Sequence, residues 1–319
     1  MGNLFFPHSL SIDLSSVILS ALPLGEKGRT ILIATTALID NEYEDYTETS
    51  KTYNQTRIPI GVDVLVECFA TNSKPLNEQS ILDGGCGTGN YIQALTGKVK
   101  SIHGLERNEG MFAQAKQRFQ DNPDIHLRLG NLLDLPYSDS SFDGMMCNQV
   151  MHHLSGDDPD GNFPALGQLF SEAHRVLRPN GILMINTSTP QQQRDGFWWA
   201  ALIPDAIERI SRRFPTAEVI RTYLLEAGFH SVDYIPLYDE VLQGESYLDP
   251  KGPLKKAWRD GDSTWSLATE QEMASALERV HRMHEDGTIM DFLSEREQLR
   301  QQVAQTMFLL ARKSNDSLA

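Results

Sequence analysis

The chain has 319 residues, with 28 Lys and Arg against 43 Asp and Glu, which gives a formal net charge of −15. This acidic balance disfavours a nucleic-acid partner, because neutralising a phosphate polymer needs a basic face. The hydrophobic fraction of 40% allows a substantial core. No apolar run approaches the roughly 20 residues of a membrane-spanning helix.

The cysteines are few and widely spaced: Cys68, Cys86 and Cys147. Their spacing fits neither a disulfide framework nor a metal site, so we predict no bound metal and a reducing, cytoplasmic location. The short apolar run at residues 17–24 is broken by a proline and flanked by acids, which argues against a signal or transit peptide.

Residues 1–50 match no motif and are interpreted as an N-terminal extension. Residues 51–237 are predicted to form an α/β core that begins with a helix from Gly61 to Ala70, where apolar residues recur at helical spacing. Strands are predicted at Ser80 to Asp83, Ile102 to Glu106, Ile125 to Leu129, Phe142 to Cys147 and Ile182 to Asn186. Helices between them predict a doubly wound, mostly parallel sheet with its ligand at the carboxyl ends of the strands.

The second half of the chain carries two insertions. A strand from Ser231 to Leu237 and a last strand from Met307 to Arg312, within residues 307–319, are separated by residues 238–306. That separation is far longer than an ordinary connection and predicts a helical cap. Residues 189–214, after the fifth strand, are a second insertion and are predicted to form a lid over a substrate.

The most informative segment lies where the first strand turns into a helix, and it reads ILDGGCGTGN at residues 81–90. Glycines permit a close approach of the backbone to a ligand. The carboxylate of Asp83 would repel a pyrophosphate but would hold an ammonium group or a ribose hydroxyl. A dinucleotide fingerprint has the spacing G-x-G-x-x-G instead, which argues against a nicotinamide-dependent oxidoreductase.

Three further segments follow in a fixed order. Glu106 ends the second strand, where a carboxylate can accept both hydroxyls of a ribose. The segment GNLLDLP at residues 130–136 is followed by SSFD at 140–143, and EAHRVLRPNG occupies residues 172–181.

Together these segments resemble the class I S-adenosylmethionine (SAM) dependent methyltransferases, of the small-molecule type related to quinone-biosynthesis methyltransferases. The order Asp83-x-Gly85-x-Gly87-x-Gly89 is similar to the family's motif I. Two positions depart from the family pattern. Asn131 stands in place of Asp, and its amide oxygen can still accept from an adenine amino group. Asn180 replaces a glycine and tolerates a left-handed turn.

The resemblance implies a Rossmann-like fold of seven strands with the last one antiparallel, SAM as the cofactor, and transfer of a methyl group to a small, partly apolar molecule by in-line displacement. It implies that the cofactor is held by Asp83, Gly84, Gly85, Gly87, Gly89, Glu106, Arg107, Met111, Asn131, Leu132 and Asn148. Relatives often have a Tyr and an Arg upstream of the first helix, so Tyr53 and Arg57 are candidates, with an N-cap or surface role as the alternative.

His152 and His153 follow the fourth strand, beside the expected methyl end of the cofactor. Where the acceptor must lose a proton, a histidine is the usual base, although both could be structural. Four tryptophans of the insertions are candidate substrate contacts, with packing as the alternative: Trp198, Trp199, Trp258 and Trp265.

Two other functions stay open at this stage: a SAM-binding protein with a non-methyltransferase activity, and an NAD-dependent oxidoreductase. The acceptor atom, oxygen, nitrogen or carbon, is also open, as is the choice between monomer and homodimer.

Overall fold

The computed structural model describes residues 58–154 and 162–315. The N-terminal extension, residues 1–50, and the candidate contacts Tyr53 and Arg57 lie outside the described residues, so those interpretations stay predictions. Every helix in the described part is too short or too polar to cross a membrane.

A seven-stranded sheet forms the centre of this part of the chain. Its strands are β1 (Ser80–Gly84), β2 (Ser101–Glu106), β3 (Ile125–Leu129), β4 (Phe142–Asn148), β5 (Leu177–Thr187), β6 (Phe229–Pro236) and β7 (Met307–Lys313). The strand order is β3-β2-β1-β4-β5-β7-β6. The pairs among β1 to β5 are parallel, whereas β7 is antiparallel to β5 and β6. The predicted mostly parallel sheet with an antiparallel last strand is confirmed.

The topology places a ligand site between β1 and β4. The chain winds outward from β1 to β2 and β3, then returns to pair β4 with the other side of β1. In a doubly wound sheet this reversal opens a crevice at the carboxyl ends of the two strands. The residues that follow β1 and β4 therefore meet at one edge of the sheet.

Helices flank the sheet in chain order: α1 (Val62–Ala70), α2 (Asn90–Leu95), α3 (Glu109–Arg118), α4 (Met151–Leu154), α5 (Pro164–Val176), α6 (Pro190–Asp195), α7 (Pro204–Ser211), α8 (Ala217–Glu226), α9 (Lys256–Arg259), α10 (Glu270–Glu285) and α11 (Ile289–Val303). Successive strand residues point to opposite faces. Ile81 accordingly packs with residues of α1 and α2, and Leu82 packs with residues of α5 and α8. The central strands are covered on both faces, which explains why β4 is almost wholly buried.

The lid insertion, residues 189–214, and the cap, residues 238–306, share one hydrophobic cluster. The rings of Trp199 and Trp265 lie 5.4 Å apart between their centroids. Trp198 N donates to the hydroxyl of Tyr247 at 2.9 Å. Two segments that are far apart in sequence thus form one packed body next to the carboxyl edge of the sheet.

Candidate active site

The loop between β1 and α2 combines left-handed glycines with close packing. Gly85 and Gly89 have φ of 75° and 86°, a region that residues with a Cβ adopt at a cost. A Cβ on Gly85 would lie 2.6 Å from a methyl of Val150, and one on Gly89 would lie 2.3 Å from the ring of Phe119. Both positions therefore require glycine. The loop that contains them lines the cleft through Gly85, Cys86, Gly87 and Thr88.

Asp83 is the penultimate residue of β1, at the base of that loop, and its side chain is enclosed. The residue is 2% exposed, and its Oδ2 has no hydrogen-bond partner among the described residues. Burial, followed by the nearby charge of Glu106, raises the pKa of this carboxyl to about 8. A cationic ligand would supply the missing partner and would favour the ionised form.

Glu106 ends β2 and ties two loops together. Its Oε2 accepts from Gly87 N at 2.8 Å, and its Oε1 accepts from Arg107 N at 2.9 Å and from Asn108 N at 2.8 Å. A carboxylate has about four acceptor sites, so Oε2 keeps one for a ribose hydroxyl. The predicted strand-end position of this acid is the position that the structure shows.

The loop after β3 carries Asn131 and Leu132. Asn131 Oδ1 accepts from Leu133 N at 3.1 Å, so part of the side chain's hydrogen-bonding capacity is used within its own loop. Glu172 and Arg175 of α5 anchor this loop. Glu172 Oε2 accepts from Leu135 N at 2.8 Å, and the two side chains pair at 2.7 Å.

The end of β4 is polar and partly strained. The side-chain Nδ2 and Oδ1 of Asn148 are buried without a hydrogen-bond partner among the described residues. Gln149 has φ of 54°, a conformation that costs free energy and often occurs at functional sites. Its Nε2 donates to Asn186 Oδ1 at 2.7 Å and to Thr306 Oγ1 at 3.0 Å, which fixes the turn between β4 and α4.

His152 and His153 lie side by side on α4, with ring centroids 4.0 Å apart. Phe214, from the lid insertion, stacks on His152 at 5.0 Å. The insertion therefore reaches the side chains that follow β4.

One cleft brings these elements together, with about 1030 Å³ of empty space including the part open to solvent. From the sheet edge it is lined by Asp83, Gly85, Cys86, Gly87, Thr88, Asn90, Tyr91, Asn148, Gln149, His152 and His153. From the other side it is lined by Ile58, Pro59, Gln193, Phe197, Ile210, Phe214, Leu242, Asp262, Ser263 and Thr264.

Several predicted residues lie outside the lining of this cleft: Gly84, Gly89, Glu106, Arg107, Met111, Asn131, Leu132 and the four tryptophans. The tryptophans form the interior of the lid and cap cluster, where Trp198 and Trp199 are completely buried. Trp198 Nε1 donates to Tyr247 O at 2.6 Å and Trp258 Nε1 donates to Ser246 O at 2.8 Å. Among the residues of the insertions, the aromatic side chains that line the cleft are Phe197 and Phe214.

Sequence reasoning missed the polar residues that the insertions contribute, namely Gln193, Asp262, Ser263 and Thr264. The insertions match no motif, and nothing in the local pattern shows which side of a loop faces the sheet. The one available signal is Asp262-Ser263-Thr264, a pattern typical of a helix N-cap, which predicts a local turn but no position in a cleft.

Comparison with known proteins identifies a methyltransferase domain. A methyltransferase domain model matches residues 82–185, which include the end of β1, the glycine loop, β4 and most of β5. These residues form a domain of the class I, SAM-dependent type. A demethylmenaquinone methyltransferase of Symbiobacterium thermophilum is 27% identical over 183 residues, which cover 48% of this chain and 69% of that protein.

Other proteins similar to this chain match it over very different shares of their own length. The biotin biosynthesis bifunctional protein BioHC of Teredinibacter turnerae is 30% identical over 54% of this chain, but that match spans only 30% of the relative's length. A protein named as a methyltransferase of an antibiotic biosynthesis pathway in Anabaena variabilis has the same fold. Its TM-score is 0.64 at 22% identity, and the match covers 81% of this chain and 99% of that one.

SAM is the cofactor of this family, and the cleft fits it chemically. The unpartnered Oδ2 of Asp83 suits an ammonium group. The unpartnered amide of Asn148 offers a donor and an acceptor to polar atoms of a ligand. The glycine loop beside them contributes Gly85 and Gly87 to the lining of the same cleft.

Proposed function

We propose that this protein transfers a methyl group from SAM to a small, partly apolar molecule held between the sheet edge and the lid and cap cluster. The observation that carries the proposal is the pair of buried, unpartnered polar groups at the ends of β1 and β4, Asp83 and Asn148. Buried polar atoms are normally hydrogen-bonded. A pair of exceptions in one cleft points to a polar ligand.

The cofactor would be held along the edge of the sheet from β4 to β3. Asp83 and Asn148 take its amino-acid end, the backbone at Gly84, Gly85, Gly87 and Gly89 borders its middle, and Glu106 takes the ribose. Arg107, Met111, Asn131 and Leu132 take the adenosine end. Support comes from the order of these residues along β1, β2 and the loop after β3. Tyr53 and Arg57 stay predictions.

When bound, SAM supplies an electrophilic methyl group on a sulfonium whose departure leaves a neutral thioether. The chain's own contribution is then to align the acceptor and to exclude water. The stacking of Phe214 on His152 supports a closed, partly apolar environment there. His152 or His153 would accept a proton from an acceptor that has to lose one.

The side chains that the insertions contribute to the cleft indicate which kind of acceptor it would bind. Phe197, Ile210, Phe214 and Leu242 supply apolar area, and polar side chains lie beside them. The overall charge of −15 supports a small molecule rather than a nucleic acid as the acceptor. We assign residues 51–237 to the SAM-binding core, 238–306 to the cap and 307–319 to the last strand and tail. A cytoplasmic location and a monomeric or homodimeric state stay predictions.

The test has two parts on the wild-type protein. Calorimetry with SAM and with S-adenosylhomocysteine measures binding, and a panel of small phenols, amines and hydroxylated aromatics is then assayed for S-adenosylhomocysteine formation. Binding with turnover supports the proposal. Binding without turnover of any acceptor favours the alternative of a SAM-binding protein with another activity. Tight binding of NADH in place of SAM would overturn the cofactor assignment.

A further inference from the structure

Asp262 is a residue of the cap insertion that lines the same cleft as the motif I loop. It is 7% exposed and precedes the short helical turn Ser263–Leu267. Its Oδ1 accepts from Thr264 N at 2.9 Å, which fixes the orientation of the side chain. Among the described residues, Oδ2 has no hydrogen bond or ion pair, and it is not one of the fully enclosed unpartnered atoms, so it is accessible to a ligand.

A carboxylate oxygen without a protein donor keeps its acceptor capacity for a ligand. The described residues that line the cleft include two carboxylates, Asp83 and Asp262, and two histidines, but no Lys or Arg. Arg213 is buried beside Phe214 in sequence but does not line the cleft. The charge pattern therefore favours neutral or cationic ligands over anions.

The two carboxylates belong to different walls. Asp83 ends β1 beside the glycine loop, where the amino group of the cofactor is expected. Asp262 belongs to the cap, as part of the wall that also carries Phe197, Ile210 and Phe214. A methyltransferase binds two ligands, the cofactor and the acceptor. Because Asp83 is assigned to the cofactor, Asp262 on the opposite wall is positioned to contact the acceptor.

We propose that Asp262 determines acceptor specificity by binding a hydrogen-bond donor of the acceptor, either a protonated amine or a hydroxyl group. Acceptors that place a carboxylate or phosphate at this position are excluded by repulsion. The inference rests on the proposed methyl-transfer function. It adds a specificity determinant to the cofactor site and to the two histidines.

Three probes with one phenol ring in common test the inference: tyramine, tyrosol and 4-hydroxyphenylacetate, which end in an ammonium, a hydroxyl and a carboxylate group. Binding of each to the protein saturated with S-adenosylhomocysteine is measured by calorimetry. We expect tyramine or tyrosol to bind at least about ten-fold more tightly than 4-hydroxyphenylacetate, because hydrogen bonds to charged groups are the strong ones.

Asp262→Asn is the informative variant, because the amide keeps an oxygen for Thr264 N and removes only the charge. If Oδ2 binds an ammonium group, the variant should bind tyramine about ten-fold or more weakly than the wild type does. If it binds a hydroxyl group, the variant should bind tyrosol about two- to three-fold more weakly. Asp260→Asn is the matched control. Asp260 lies two residues away, is exposed and pairs with Lys256 at 2.7 Å, so its variant should bind all probes like the wild type.

The outcomes separate this inference from the function on which it rests. Wild-type protein without preference for tyramine or tyrosol over the carboxylate, including no binding of any probe, overturns the inference. So does an Asp262→Asn variant with wild-type selectivity, or one that weakens the binding of S-adenosylhomocysteine itself, since that would place Asp262 at the cofactor. Failure of the wild type to bind S-adenosylhomocysteine refutes the proposed function, and the inference falls with it.

Discussion

Replacing Asp83 with asparagine should change two measured quantities in opposite directions. The carboxyl is almost completely buried, and burial together with Glu106 raises its pKa from 3.8 to about 8. Asp83→Asn keeps the size and one oxygen of the side chain, and it removes the charge that the cofactor's ammonium group would pair with. We expect the ligand-free protein to become more stable near and above neutral pH, while cofactor affinity falls.

The sign of the stability change follows from the raised pKa. Below 3.8 the carboxyl is protonated in both the folded and the unfolded state and makes no difference. Between 3.8 and about 8 the unfolded state loses its proton more readily, so the free energy of unfolding falls as pH rises, until it levels off above about 8. Asp83→Asn lacks this slope. Since one pKa unit corresponds to about 1.4 kcal/mol, the variant should gain on the order of a few kcal/mol over this range.

The expected loss of affinity has its own scale. A hydrogen bond to a charged group contributes about 1.5–3 kcal/mol, which corresponds to a roughly 10- to 150-fold weaker binding of SAM. Calorimetry measures the affinity, and urea unfolding between pH 5 and pH 9 measures the stability.

Asp143→Asn serves as the control, because Asp143 is a buried carboxylate that does not line the cleft. It pairs with Lys74 at 2.9 Å and accepts from Ser80 N at 2.8 Å. Its variant should lose stability and keep its affinity for SAM. Unchanged affinity in Asp83→Asn, or a variant that loses folding and binding together, would refute the role given to Asp83.

Three further predictions concern the loop, the cap and the sheet. Gly89→Ala should destabilise the protein strongly, because its Cβ would lie 2.3 Å from the ring of Phe119. Gly97 is also left-handed but has open space around it, so Gly97→Ala should cost only about 1–2 kcal/mol. Equal free energies of unfolding for the two variants would contradict this. Tyr247→Phe removes the hydroxyl that donates to Glu297 Oε1 at 2.6 Å, and we expect a loss of about 1–3 kcal/mol in urea unfolding, so an unchanged midpoint would argue against this anchor of the cap. Burial, followed by neighbouring positive charge, lowers the pKa of His103 from 6.5 to about 4. As the pH falls, the unfolded state therefore binds the proton first, and the free energy of unfolding should decrease between pH 6.5 and about pH 4. Urea unfolding of His103→Asn should show a smaller decrease over this range.

Local sequence signals were sufficient for most of the core. The strand predicted at Ile125 to Leu129 has the same bounds as β3, and the motif I acid lies at the end of β1 as predicted. Both depend on short-range patterns of apolar residues and glycines. The fifth strand was predicted only from Ile182, whereas β5 begins at Leu177. A register shift in its pairing with β4 and the positive φ of Asn180 produce the difference.

The cleft residues that come from the lid insertion and the cap could not be predicted in the same way. Whether an aromatic residue of an insertion faces a cavity or a core depends on how that insertion packs, and the lid insertion and the cap pack mainly against each other. The four tryptophans therefore became the interior of that cluster, while Phe214 and Asp262 line the cleft.

The sequence by itself determined the methyltransferase domain, the order of strands and helices in the core and the acid near the end of β1, because those features depend on short motifs and on alternating strands and helices. The tertiary structure alone decided which side chains of the insertions line the cleft. Residues separated by dozens of positions form that wall, and only the free energy of packing two insertions together brings them to the same cleft.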